Sequence, residues 1–156
     1  MASSVRERDN GYAALRDRLK QAKGTVTVGI HEAEGSEAAG EGDLTVLDVA
    51  NIHEFGAPEA GIPRRSMIAD WSDETEDANR EAMKRGAEAV IKGDLPSVHN
   101  ALERAGLKFV GDVQTRMVGG IDPPLAESTI EKKGSSTPLI DTGQLRSSIR
   151  HEVKDE

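Results

Sequence analysis

The clearest pattern in the chain is a run of apolar residues at steps of three and four: Val98, Ala101, Leu102, Ala105, Phe109, Val113 and Met117. That spacing predicts one long helix with a single buried stripe, closed by Gly119-Gly120. A second long helix is predicted before it. Ser72, with Asp73 and Glu74, offers a start, because acids in a first turn suit the helix dipole. Its inner face, Ala78, Ala82, Gly86, Ala89 and Val90, is small, so whatever packs there comes close. Gly93-Asp94-Leu95-Pro96 separates the two helices.

Nearer the start, Asp9 and Asn10 can cap a helix that places Tyr12, Leu15, Leu19 and Ala22 on one face, closed by Gly24. Thr25 to Ile30 alternates, which predicts a strand with Val26, Val28 and Ile30 on one side. Thr45 can cap a short helix whose inner face is Val46, Val49, Ala50 and His53, ending at Phe55-Gly56-Ala57-Pro58. Ile62 to Ile68 reads as extended, since Pro63 biases Ile62 away from helix. After a loop holding Pro123-Pro124, a short helix is expected around Thr129 to Lys132. Thr142 can cap a last turn or two through Gln144 to Ile149, and Arg150 to Val153 can add an edge strand.

Residues 33–43 have no apolar period and no positive charge, so they are expected to be a flexible acidic loop. Residues 1–8 and 154–156 are expected to be mobile ends. The predicted architecture is a single α+β domain over residues 1–156. It has a small, mostly antiparallel sheet packed against two or three long helices, with long irregular loops.

Composition sharpens this picture. Hydrophobic residues are 36% and aromatics 3%, so the core must be built from Val, Ile, Leu and Ala and is thin. Partner subunits are a natural way for such a chain to bury more apolar surface. Most of the net charge of −8 lies in residues 1–97. It leaves no basic footprint for sequence-specific nucleic-acid binding. The absence of cysteine excludes disulfides and thiolate metal sites. No apolar run is long enough for a membrane span, and the first eight residues lack a signal-peptide core, so the chain is expected to be soluble and unexported.

Catalytic constellations are not found. A metalloprotease helix needs a second His four residues after the first. Four residues after His53 stands Ala57, and after His31 stands Gly35. There is no Gly-x-Ser-x-Gly elbow, and Gly40-Glu41-Gly42-Asp43 lacks the Lys of a phosphate loop. Neither a cofactor nor an enzymatic role is expected.

Two segments carry a resemblance. The first is Val49-Ala50-Asn51-Ile52-His53-Glu54-Phe55-Gly56-Ala57-Pro58 followed by Ile62-Pro63-Arg64-Arg65. The second is Pro124-Leu125-Ala126-Glu127-Ser128-Thr129-Ile130-Glu131-Lys132-Lys133-Gly134, then Pro138-Leu139-Ile140-Asp141-Thr142-Gly143-Gln144-Leu145-Arg146. Together, in this order and spacing from about Thr25 to Val153, they resemble the tail-completion or neck proteins of tailed bacteriophages. One departure is Ser66-Met67, which stands where many members have Pro-Phe.

The resemblance implies a structural virion protein at the head–tail junction, assembled in the host cytoplasm as a homo-oligomeric, expectedly hexameric, ring. It would complete or terminate the tail and meet other neck and tail-tube proteins, with genome DNA passing through without sequence-specific binding. Candidate subunit or neighbour-ring contacts are Glu54, Phe55, Arg64, Arg65, Asp141, Thr142, Arg146 and Arg150; the last two would share a helix face. Glu34, Glu37 and Glu41 are candidates for a flexible arm or for lumen acids that repel DNA. The alternative from another class is an acidic regulatory module that binds a basic protein partner.

Overall fold

The computed structural model describes residues 11–20, 23–40, 43–124 and 143–155. Its elements in chain order are α1 (Tyr12–Lys20), β1 (Thr25–Gly29), α2 (Glu32–Gly35), α3 (Val46–Phe55), a 3-10 turn (Pro58–Ala60), α4 (Ala69–Glu74), α5 (Glu76–Lys92), α6 (Val98–Gly119), α7 (Gln144–Ser147) and β2 (Arg150–Lys154). The architecture is α+β, as the periodicities predict: a two-stranded antiparallel sheet against long helices.

Helix α6 is the axis. Of the expected stripe, Leu102, Ala105, Phe109, Val113 and Met117 are buried while Val98 and Ala101 are half-buried, and Gly106, outside the predicted stripe, is buried beside them. Ser97 caps the helix by accepting from the Asn100 N–H. Around the stripe gather Val46 and Ala50 of α3, Met67 and Trp71 around α4, then Ile121, Leu145 and Ile149. Trp71 meets Phe109 with ring centroids 5.8 Å apart at 59°, so two of the chain's few aromatics form one tilted pair at the centre.

The sheet pairs Val26 with Val153 and Val28 with His151. A two-stranded ribbon is marginal alone and needs a helix behind it. Gly106 lets α6 come close: a side-chain carbon there would stand 2.6 Å from Cγ of His151. His151 Nε2 lies 3.0 Å from a Glu103 oxygen, and His99 Nδ1 lies 3.1 Å from Asp155, so two imidazole–carboxylate pairs tie α6 to the end of β2. Helix α5 approaches α6 where Gly86 faces Ala101, the close packing its small inner face predicts.

Three expectations are corrected. The long helix does not begin at Ser72, which lies inside the short helix α4. The backbone breaks at Thr75, whose hydroxyl donates to the Trp71 carbonyl at 2.6 Å, and α5 starts at Glu76. The described part of 33–43 is not a free loop. Glu32–Gly35 forms a helical turn, and Ala38 bridges to Thr45, with the Ala39 N–H donating to the Leu44 carbonyl at 2.8 Å. Lys154 is not a mobile end, because it pairs with Thr25 in the sheet.

Two glycines of α6 test this packing against helix propensity. Gly106→Ala is expected to destabilise the protein by about 1–3 kcal/mol through overlap with His151. Gly111→Ala, with nothing within 4 Å of the new carbon, is expected to stabilise it by about 0.5–1 kcal/mol. Urea unfolding followed by circular dichroism measures both.

Candidate functional site

The first resemblance segment folds into one compact lock. Thr45 opens α3 with a capping box: its N–H and hydroxyl donate to Asp48, while its hydroxyl oxygen accepts the Asp48 N–H. These two donors hold the Asp48 carboxyl below the usual range, the backbone N–H first and the hydroxyl second. The helix then runs to Phe55 and ends at Gly56, whose φ of +80° is glycine territory. A side-chain carbon on Gly56 would also stand 2.9 Å from the Arg64 nitrogen. The chain turns through Pro58–Ala60 and returns, with Ala57 and Ile62 exchanging backbone hydrogen bonds and the Arg65 N–H donating to the His53 carbonyl at 2.7 Å.

Glu54 is the centre of the lock. Its carboxylate accepts from the Ser66 hydroxyl at 2.6 Å and from the backbone N–H groups of Met67, Ile68 and Ala69 at 2.9, 3.2 and 2.9 Å. Of these, the Ile68 and Ala69 N–H groups are orphan donors at the start of α4, so a side chain on another helix supplies the cap while also holding the two residues that lead into it. Burial pushes the Glu54 carboxyl up, but the hydrogen bonds from Ser66, Ala69, Ile68 and Met67 together outweigh it and hold the group below its ordinary value of 4.5. Ser66 also accepts from the Asp70 N–H at 3.0 Å. Ser66 and Met67 are therefore both built into the lock.

The two adjacent arginines diverge. Arg65 is 4% exposed. Its Nε donates to the Pro123 carbonyl at 2.7 Å and its Nη2 to the Pro124 carbonyl at 3.0 Å, which fastens the chain leaving α6. Arg64 forms a two-pronged pair with Asp70, and the Arg64 hydrogen bonds hold the Asp70 carboxyl below its usual range. Arg116 on α6 makes a similar fork with Glu74, at 2.6 and 3.1 Å, binding α4 from the other side.

These contacts sort the candidate residues. Glu54 and Arg65 have their polar groups turned inward and hold the fold. Arg64 is half-exposed and paired with Asp70 of its own chain. Arg146 lies in α7 and Arg150 opens β2, so they do not share a helix face. Glu34 approaches Arg150 at 3.9 Å, which makes it a partner within the chain, whereas Glu37 is exposed. Asp141, Thr142 and Glu41 lie outside the described residues. Phe55 remains free of the lock: it is 72% exposed, directly after the clamped Glu54.

Beside Phe55 opens a groove of about 510 Å³ between α3 and α4. Leu47, Asn51 and Phe55 form one exposed stripe of α3 along it, with Ile30, Ile68 and Asp73 on other sides. Leu47 is 45% exposed and escaped the sequence reading. The signal was present: with Val46, Val49, Ala50 and His53 inward, the apolar residues left over are Leu47, Ile52 and Phe55, and of these Leu47 and Phe55 are exposed.

Ser66, whose hydroxyl donates to the Glu54 carboxylate, is 1% exposed and also accepts from the Asp70 N–H, so this hydroxyl–carboxylate pair is turned into the fold rather than toward the groove. Among the described residues no group of three or more His, Asp and Glu side chains could hold a metal ion. No helix among them is long and apolar enough to cross a membrane. What the region can do chemically is hold a rigid apolar surface beside solvent.

Glu54→Ala leaves three backbone donors and a hydroxyl unmet and is expected to destabilise the protein by about 2–4 kcal/mol in urea unfolding. Because the folded carboxyl titrates below 4.5, its contribution is complete above that pH and is lost as pH falls through the folded value. Stability of the wild type should therefore fall more steeply below pH 4.5 than that of Glu54→Gln, as acid titrations of the melting curve would record. Arg65→Lys keeps the charge but loses the fork to two carbonyls, with an expected loss of about 1–3 kcal/mol in the same unfolding assay.

No family model, curated protein or solved structure matches the chain.

Proposed function

We propose that this chain is a structural subunit of a tailed-phage particle. It forms a ring at the head–tail junction that completes or terminates the tail and joins it to the head. The observation that carries the reading is the ordered pair of segments, His53-Glu54-Phe55-Gly56 with Ile62-Pro63-Arg64-Arg65 and the later Pro138-Leu139-Ile140-Asp141-Thr142-Gly143, in a chain with no catalytic constellation. The geometry adds a reason for the first segment to occur as a unit. Gly56 lies close against the Arg64 nitrogen, the Arg65 N–H donates to the His53 carbonyl, and Glu54 receives the residues that follow, so the two pieces of the segment pack on each other.

Two further observations favour an assembling protein. The core is small, and Leu44, Leu47, Phe55, Tyr12 and Leu107 remain at least 45% exposed, apolar surface that is available to a partner. The net charge of −8 suits a channel that lets DNA pass without adhering.

Electron microscopy of a lysate from phage lacking this gene tests the proposal. Non-infectious particles are expected. Overlong tails would make the chain the tail terminator, and full heads beside separate tails of normal length would make it the joining protein. Normal infectious particles would reject the structural role and favour the acidic regulatory module.

A further inference from the structure

The groove beside Phe55 and the exposed face of α1 are two unpartnered surfaces whose chemistry is complementary. The groove is apolar along Leu47 and Phe55. Among the described residues its lining includes no cation, and its charged members are the acids Glu54 and Asp73. Glu54 is occupied by its four donors, which leaves Asp73, exposed at the rim and also within electrostatic reach of Arg64, as the acid facing solvent there.

Helix α1 offers the converse. It buries none of its residues, and Tyr12 and Leu19 are 71% and 50% exposed. Tyr12, Arg16 and Leu19 follow the i, i+4, i+7 spacing of a helix that lays one face into a groove, and Lys20 flanks them. Apart from Asp17, every charged residue of α1 is a cation. The dimensions also agree. Tyr12 to Leu19 spans about 10 Å along its helix and Leu47 to Phe55 about 12 Å along theirs. Within one chain α1 lies against α5, where the Arg18 guanidinium approaches Gly93, and it does not line the groove.

We propose that α1 of one copy seats in the α3–α4 groove of the next, Tyr12 and Leu19 packing against Leu47 and Phe55 while Arg16 and Lys20 approach Asp73. The inference rests on the ring reading and names its subunit interface. Because the two surfaces differ, the contact is head-to-tail, the kind that closes into a ring or runs on as a filament.

The test uses the whole chain and two variants, Phe55→Glu in the groove and the pair Tyr12→Glu with Leu19→Glu in the helix. These side chains are exposed, so circular dichroism should match the wild type and each variant should still melt cooperatively, at a temperature lowered only by the loss of assembly. Light scattering of the wild type is expected to give an oligomer. Each variant alone should be monomeric or associate at least tenfold more weakly.

Mixed one to one, the variants should form a dimer and nothing larger, because only one intact helix meets one intact groove. Variants that assemble like the wild type would overturn this interface and leave the ring reading standing. Monomeric variants that fail to pair on mixing would overturn the head-to-tail arrangement. A wild type that remains monomeric overturns the interface, and the gene deletion then decides the ring reading separately.

Discussion

The structure depends on a carboxylate being in one place. Glu54 sits in the last turn of α3, and its two oxygens receive Ser66, Met67, Ile68 and Ala69. A helix N-terminus left bare carries unmet donors, and half-burying them without a partner costs about 1–3 kcal/mol each. Glu54 removes that penalty and sets the angle at which α4 leaves the loop. Trp71 follows from α4 and reaches Phe109 on α6, so the central aromatic pair depends on an interaction at the protein's edge. Arg65, anchored by its own N–H to His53, extends the same lock to Pro123 and Pro124.

This explains a chain so poor in aromatics. With few large side chains to fill space, α6 gathers neighbours by letting backbone come near, at Gly106 against His151 and across Ala101 against Gly86. Polar contacts then fix what packing leaves under-determined. The fork of Arg116 with Glu74 and the imidazole pairs of His151 and His99 each join elements distant in sequence. None is a large stabiliser alone, since exposed ion pairs contribute little. Their value is in selecting one docking of α4 and β2 on α6.

What was legible in the sequence follows from range. The α6 stripe, the Thr45 cap, the alternation of β1 and the edge strand near Arg150 are local patterns, and all of them stand in the structure. The start of the long helix was misplaced at Ser72 because the cap that matters comes from Glu54, on a different helix, and local propensity has no access to it. The acidic stretch after His31 read as loose because its order comes from the bridge of Ala38 to Thr45 and from Gln144 donating to the Ala38 carbonyl at 2.9 Å, a partner 106 residues away. Arg65 read as a candidate subunit contact for the same reason: its two acceptors within the chain are carbonyls, which leave no signature in a sequence.

Phe55 connects the lock to the surface. Consecutive residues on a helix point about 100° apart, so the turn that aims Glu54 inward aims Phe55 outward. The clamp fixes the end of α3 from Glu54, and Gly56 bends the chain immediately after it. A large apolar side chain is thereby presented on a rigid element at a set angle. An anchor held this way loses less freedom on docking than one on a loop, which raises the affinity any given contact area can deliver. In the proposed assembly, the residues that make the chain fold and the residue offered to the next copy are neighbours because one turn of helix serves both, so a change that loosens Glu54 should weaken that contact through Phe55 without altering the docking surface itself.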